Sequence, residues 1–415
     1  MRLVKNIFQR LEGLENFLDE GIIPETLRNA TEVLEETARE IQKTNDRNRA
    51  ISLSRVFEKL KKLHHAQMCD RLADSRNVHF MHNDKFANPT IAFINRHFPS
   101  EDNLFLVCRT NDDNYAAQKF PEGRNVLESD CYLLDAKNFK DKKLIFHSLF
   151  NPNAVAWLYL NRDLLQHSYW MVWGKDLYAA PTDEMNTFVR QNIYGIGSFC
   201  DNGLAAQKYG GNHVFFNTNM VVPPTPLAPN IALKIRKEND PTVIQLNNSA
   251  DDSTLEILDI LAKFKNENIE IRTVLSYGKT QFNRQIIEKG QSIFGDKFSY
   301  LAKMIDPDDY AEYLAQNDIF ILYQNRQQGG GNLFTSLALG KKVFLRYEVT
   351  TAQALKQGNF VFFDSNKIKD MSFGKFCEIS EEAIENNVKI MKTLNADKLR
   401  TASFSMIFDH VAKDK

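Results

Sequence analysis

The 415-residue chain has almost no net charge, a formal −1 at pH 7. A nucleic-acid binder needs a basic face, and neither that footprint nor a sharp nucleic-acid motif is present. No apolar run reaches the length that spans a bilayer. The opening residues, MRLVKNIFQRLEGLENFLDE, scatter charge and contain no uninterrupted apolar core, which excludes a secretory signal. Cysteine is scarce: Cys69, Cys108, Cys131, Cys200 and Cys377 are odd in number and far apart. They make neither a disulfide framework nor a zinc motif, and they suit a reducing cytoplasm. No DxD-like pair stands in a metal-binding context, since Asp251-Asp252 reads as a helix cap, so no metal is expected.

The length exceeds what one hydrophobic core usually holds and predicts two domains or more. Residues 1–74 read as a helical extension. Leu3, Val4, Ile7, Phe8, Leu11, Leu14, Phe17 and Leu18 recur at helical spacing, and Pro24 fits the first turn of a second helix. The first helix can lie on a membrane surface or dock on its own domain or on a second copy of the chain. Its acidic residues weaken attraction to anionic lipid and favour docking.

From Asn77 strands and helices alternate. Strands are predicted at Val78–Met81, Leu104–Cys108, Leu144–His147, Tyr169–Trp173 and Val214–Asn217. Four prolines then fall within seven residues, from Pro223 to Pro229, and make a stiff connector. A second series follows: Val243–Leu246, Ile271–Leu275, Ile319–Tyr323, Val343–Leu345 and Phe360–Phe363. This pattern predicts an α/β protein with two Rossmann-like parallel-sheet domains facing a cleft, over 75–225 and 226–380, with helices over 381–415. Ligands in such sheets bind outside the carboxyl ends of the strands, so polar residues there are the site candidates.

The most informative stretch is DIFILYQNRQQGGGNLFTSLALGKKVFLR, Asp318 to Arg346. An apolar strand leads through Asn325, Arg326, Gln327 and Gln328 to Gly329-Gly330-Gly331. Asn332 is expected to cap a helix over Leu333–Leu339, with Gly340 at its stop. Bare N–H groups at such a helix start suit a phosphate, although a glycine-rich turn can also serve tight packing alone. Arg326 can grip two phosphate oxygens or form a surface ion pair.

Other strand ends carry polar clusters. His82-Asn83-Asp84 follows the first strand, and Asp84 can act as a base or cap a turn. His147 can bind a ligand, act as base, or satisfy loop carbonyls. Asn151 opens a helix beside it. Trp173 is either ligand platform or core bulk, and Asp176 can hold hydroxyls or pair with a local cation. Asn248 and Ser249 follow a strand and can donate to phosphate. Tyr277-Gly278 can stack on a base or sugar. Asp306 reads as a helix cap.

The blocks LIFHSLFNP, YWMVWGKDLY, VIQLNNSADDS, RTVLSYGK and DIFILYQNRQQGGGNLFTSLALGKKVFL resemble, in that order, the TDP-N-acetylfucosamine:lipid II N-acetylfucosaminyltransferases, glycosyltransferase family 56. The resemblance runs from about Asn77 to Asp364. It implies a GT-B fold, a nucleotide sugar on the C-terminal domain and an acceptor on the N-terminal one. It also implies the chemistry of enterobacterial common antigen synthesis on an undecaprenyl-diphosphate carrier, at the inner face of the cytoplasmic membrane. The first 75 residues are an addition to that pattern, and the triple glycine is richer than the family's loop.

The expected activity is thus a metal-independent transfer of a deoxyamino sugar from a TDP donor to a glycan or lipid-linked acceptor. Asp84, His147 and Arg326 are the catalytic candidates. Asn248, Ser249, Tyr277, Gly278, Asn325, Gln327, Gln328, Gly329, Gly330, Gly331 and Asn332 are the donor-binding ones. His82, Asn151, Trp173 and Asp176 are assigned to the acceptor. No cofactor beyond the donor nucleotide and no nucleic-acid partner are expected. Residues 1–74 can mediate self-association or bind a partner. The rivals are a GT-B transferase with a different nucleotide sugar and a non-catalytic assembly factor.

Overall fold

A computed structural model of the chain describes residues 14, 33–34, 36–39, 41, 47–108, 120–131, 134–210, 213–218, 239–246, 253–276 and 280–410. The first series of elements is α1 (Arg47–Asp74), β1 (Asn77–His82), α2 (Ala87–His97), β2 (Asn103–Cys108), β3 (Val126–Glu128), β4 (Lys143–His147), α3 (Pro152–Leu160), β5 (Ser168–Met171), α4 (Lys175–Tyr178), α5 (Glu184–Asn192), β6 (Gly195–Ser198), α6 (Asn202–Tyr209) and β7 (Val214–Asn217). The second is β8 (Thr242–Leu246), α7 (Ser253–Leu261), β9 (Ile269–Val274), α8 (Thr280–Phe294), β10 (Phe298–Leu301), α9 (Pro307–Ala315), β11 (Ile319–Leu322), α10 (Gly330–Ala338), β12 (Lys342–Leu345), α11 (Thr350–Gln357) and β13 (Phe363–Asp364), followed by α12 (Phe373–Cys377), α13 (Glu381–Leu394) and α14 (Asp397–Phe408). The chain divides into two units, residues 1–197 with 209–215 and 408–415, and residues 198–208 with 216–407.

The first sheet has strand order β3-β2-β1-β4-β5-β6-β7, and the second β10-β9-β8-β11-β12-β13. The ladders of the second sheet are all parallel. Those from β3 to β6 in the first are parallel too. In each sheet the first six strands thus follow the order 3-2-1-4-5-6, the doubly wound arrangement. The continuous apolar run of β11 follows from burial on both faces. Ile319 and Ile321 enter one core with Ile244, Ile257 and Phe344. Phe320 and Leu322 enter the other with Leu333, Leu337 and Leu355.

Three strands escape the sequence pattern. Val126–Glu128 has only three residues, Gly195–Ser198 is half glycine, and Phe298–Leu301 is an edge strand with exposed Ser299 and Tyr300. The expected strand at Tyr169–Trp173 ends at Met171, because the chain turns at Gly174 with φ 101°. At Phe360–Phe363 only Phe363 joins a strand, while Phe360 and Phe362 fill a core. The proline connector and most of the first two expected helices lie outside the described residues. Leu14, Val33 and Leu34 pack with Val56 and Leu60 of α1. α1 also covers the edge strand β3: Arg71 Nη1 donates to the Val126 carbonyl at 3.0 Å, and His64 Nε2 lies 3.3 Å from that of Glu128. An edge so covered offers fewer free backbone groups to another chain. Among the described residues no helix is long and apolar enough to cross a membrane.

A polar chain crosses the first unit's core. Asn103 Oδ1 lies 3.1 Å from His79 Nε2, and His79 Nδ1 lies 3.0 Å from His147 Nε2. His79 stacks on Phe105 and meets Phe408 edge-on. Burial pushes its imidazole down to about 4, with the Asn103 bond opposing. The unfolded chain takes up this proton below pH 6.5, whereas the folded one resists it until about pH 4. Stability therefore falls as pH drops through that window, by up to about 3 kcal/mol from this group. All three tryptophans lie in the first unit, so urea unfolding followed by tryptophan fluorescence reports on it. His79→Gln is expected to flatten the loss of stability between pH 7 and pH 4.5. An unchanged pH dependence contradicts the assignment.

Candidate active site

The strand order reverses between β8 and β11 in the second unit, and the glycine-rich turn follows β11 there. Gly329 sits at φ 68°, a left-handed conformation, and is the N-cap of α10. The helix therefore begins at Gly330, three residues before the expected start. Asn332 lies within its first turn and accepts a hydrogen bond from the Tyr310 hydroxyl at 3.0 Å. Gly329 has no side chain to cap this end, which opens on the backbone amides of Gly330 and Gly331. A Cβ on Gly331 would meet nothing within 4 Å, so its surroundings are open. Gly340 takes φ 69° where the helix stops, and a Cβ there would stand 2.7 Å from Ile384. That stop is the one expected.

Arg326, Gln327 and Gln328 are half-buried on the loop, and Arg326 Nη1 donates to the Gln327 carbonyl at 3.3 Å. Asn325 is exposed and accepts from Arg346 Nη1 at 2.6 Å. Arg346 also pairs with Glu256 at 3.0 Å and lies 3.9 Å from the Tyr323 ring centre. The Tyr323 hydroxyl donates to the same glutamate. Arg346 was absent from the expected site, yet it is the first residue after β12 and so has the address that marked the other candidates. Asn248, Ser249, Tyr277 and Gly278 lie outside the described residues.

In the first unit the reversal falls between β1 and β4. The turn after β1 places Asp84 two residues before Phe86, the N-cap of α2. Asp84 Oδ1 accepts from the Phe86 amide at 2.8 Å. Burial pushes its carboxyl up to about 6, against the Phe86 bond and the Lys85 charge. The Phe86 ring meets Trp173 edge-on at 4.8 Å, which ties the β1 and β5 loops together. His82, His147 and Asn151 line one small cavity at these strand ends. Asn151 is the N-cap of α3 and accepts from the Asn153 amide at 2.9 Å.

A family model described as "4-alpha-L-fucosyltransferase glycosyl transferase group 56" matches residues 96–376. The chain belongs to glycosyl transferase group 56. Among solved structures it is similar to a glycosyltransferase from Rickettsia africae ESF-5, at 10% identity and TM-score 0.55, covering 82% of this chain and 100% of that one. It is also similar to trehalose-phosphate synthases from Burkholderia vietnamiensis, at 10% and 0.54 with coverage of 81% and 100%, and from Burkholderia multivorans, at 11% and 0.56 with 81% and 98%. The fold is GT-B, and the protein is a glycosyltransferase.

Within this transferase two expected ligand contacts are engaged in scaffolding. Asp176 is 2% exposed, and its Oδ2 accepts from Trp170 Nε1 at 2.7 Å and the Leu149 amide at 3.1 Å. Its Oδ1 accepts from the Trp173 amide at 3.0 Å. Burial pushes its carboxyl up, against these bonds and the Arg190 charge. Arg190 holds the Leu149 carbonyl at 3.0 Å and lies over Trp170. Asp176 therefore fixes the loops after β4 and β5, and Ser148, at φ 78°, bends the chain toward it. His147 commits one ring nitrogen: it is 3% exposed and its Nε2 meets His79. Asp176→Ala strands three donors beside a buried arginine. It is expected to destabilise the first unit by about 3–5 kcal/mol, read by tryptophan-monitored unfolding. Unchanged stability with weakened acceptor binding would restore the role first expected for it.

Proposed function

We propose that this transferase moves a deoxyamino sugar of the N-acetylfucosamine kind from a TDP donor to a glycan or lipid-linked precursor, without a metal. The observation that carries the donor half is the open helix start at Gly329–Gly331, on the strand-order reversal of the second sheet. Amides there can donate to a diphosphate, and the helix dipole favours the charge that grows as it leaves. Arg326, on the same loop, can supply a guanidinium, while Arg346, pinned by Glu256 and Tyr323, holds Asn325 in place. The deoxyamino sugar and the TDP are what the group 56 resemblance implies, and the geometry is compatible with any nucleoside diphosphate.

Asp84 is the base in this reading. Its carboxylate takes the proton of the acceptor hydroxyl as the oxygen attacks the anomeric carbon. The bond to the diphosphate breaks, and the diphosphate departs with the electron pair. A carboxyl pushed up to about 6 is a stronger base than an ordinary one and is still ionised near neutrality. Activity is expected to fall as pH drops through about 6, because the carboxyl then keeps its proton. Asp84→Asn is expected to lose about a thousandfold in kcat with donor affinity intact. Substantial residual transfer would reassign Asp84 to turn formation.

The donor half is tested by calorimetric titration of the full chain with TDP, UDP, GDP and CMP in the absence of metal. TDP is expected to bind, and Arg326→Ala to weaken it about tenfold or more. Preference for another nucleotide keeps the transferase and moves it to a different donor. No binding to any of the four rejects the donor site.

A further inference from the structure

The start of α10 combines exposed amides with a weak first turn. Gly329, Gly330 and Gly331 stand in succession there, and Gly329 offers no side chain as a cap. Glycine loses more conformational freedom on folding than any other residue and is a poor helix former. The first buried side chain of the helix is that of Leu333, whose amide donates to the Gly329 carbonyl at 3.0 Å. A helix end of this composition is prone to fray. Amides that grip an anion are most effective when their geometry is set before the anion arrives.

One side chain ties this turn from outside the helix. The Tyr310 hydroxyl donates to Oδ1 of Asn332, the third residue of α10, at 3.0 Å. Tyr310 stands in the first turn of α9, and its amide donates to the Asp306 carbonyl at 2.9 Å. The Asp306 side chain caps that helix by accepting from the Asp308 amide at 2.9 Å. The Tyr310 ring stacks with that of Tyr313, three residues on, with centroids 6.1 Å apart and planes at 16°. Arg272 of β9 lies 5.4 Å from the Tyr313 ring centre, and Glu270 at 2.7 Å and Gln316 at 3.1 Å hold its guanidinium. Contacts thus run without a break from β9 through α9 to the third residue of α10, all within the second unit. A capped helix and a pair of stacked rings form a stiffer body than the glycine turn they hold.

We propose that Tyr310 is a positioning residue of the donor site. Its hydroxyl, acting through Asn332, holds the first turn of α10 so that the Gly330 and Gly331 amides are fixed before a diphosphate reaches them. This rests on the reading that the donor diphosphate binds at that helix start. The division of labour is physical: the glycines let a phosphate approach the backbone, and the tyrosine supplies the stiffness that glycine lacks.

Tyr310→Phe tests this with the loss of a single oxygen, since the ring stays to stack on Tyr313. In the full chain, hydrogen exchange at the Leu333 amide is expected to become about tenfold faster, with the amides of β11 unchanged. TDP affinity, read by calorimetry, is expected to fall about tenfold. Asn332→Ala cuts the same tether from its other end, so adding Tyr310→Phe to it is expected to weaken TDP no further. A tyrosine that only supports α9 would not give that coupling. Unchanged Leu333 exchange in Tyr310→Phe, unchanged TDP affinity, or losses that add in the double variant would each overturn the proposal. If Arg326→Ala weakens TDP and Tyr310→Phe does not, the tether falls and the donor reading stands. If the unsubstituted chain binds no TDP, the donor reading is rejected and this inference with it.

Discussion

In each sheet the first and fourth strands lie side by side, and the connections leaving them run toward opposite edges. A parallel sheet sends every strand's outgoing loop to the same end, and the divergence opens a gap among those loops. The rest of the molecule is arranged around that constraint. β11 delivers the glycine turn to the gap of the second sheet. β1 and β4 deliver Asp84 and a small cavity to that of the first. The opposite ends of the sheets carry a different kind of polar residue. Lys143 opens β4 and donates to the carbonyls of Phe408 and His410, while Lys342 opens β12 and donates to those of Lys375 and Glu378. Both amines are pushed down to about 8 by burial, and both hold main-chain carbonyls.

At the carboxyl edge, some polar groups are committed to holding loops. Asp176 spends both oxygens on three donors, and His147 spends its Nε2 on His79. Asp176 is held rigidly because neither oxygen is left over for exchange. Rigidity there serves the neighbouring groups that retain capacity: Trp173 is held by its own amide and leans on Phe86, two residues from Asp84. Positioning by a buried second set of side chains is what a precise reaction geometry requires.

Much of this was legible in the chain. Apolar runs such as Ile319–Leu322 and Leu144–Phe146, set among alternating helices, fit strands of a parallel sheet buried on two faces, and they appear where expected. Gly340 and Asp306 behave as helix stop and cap because their local chemistry decides the matter. What stayed hidden depends on contacts far apart in sequence. Asp176 looked like a ligand group because its address is a strand end, but its three donors come from Leu149, Trp170 and Trp173, which only the fold assembles. The start of α10 was misplaced because Asn332 is a good cap by type, whereas Gly329 can take the left-handed turn and Asn332 is engaged by Tyr310, 22 residues away.

The central claim is that the donor diphosphate sits on the amides that open α10. A crystal structure of the full chain with TDP tests it most directly. The account predicts phosphate oxygens within hydrogen-bonding distance of the Gly330 and Gly331 amides and of the Arg326 guanidinium. Density for the diphosphate at any other sheet edge, with those amides unengaged, would contradict it.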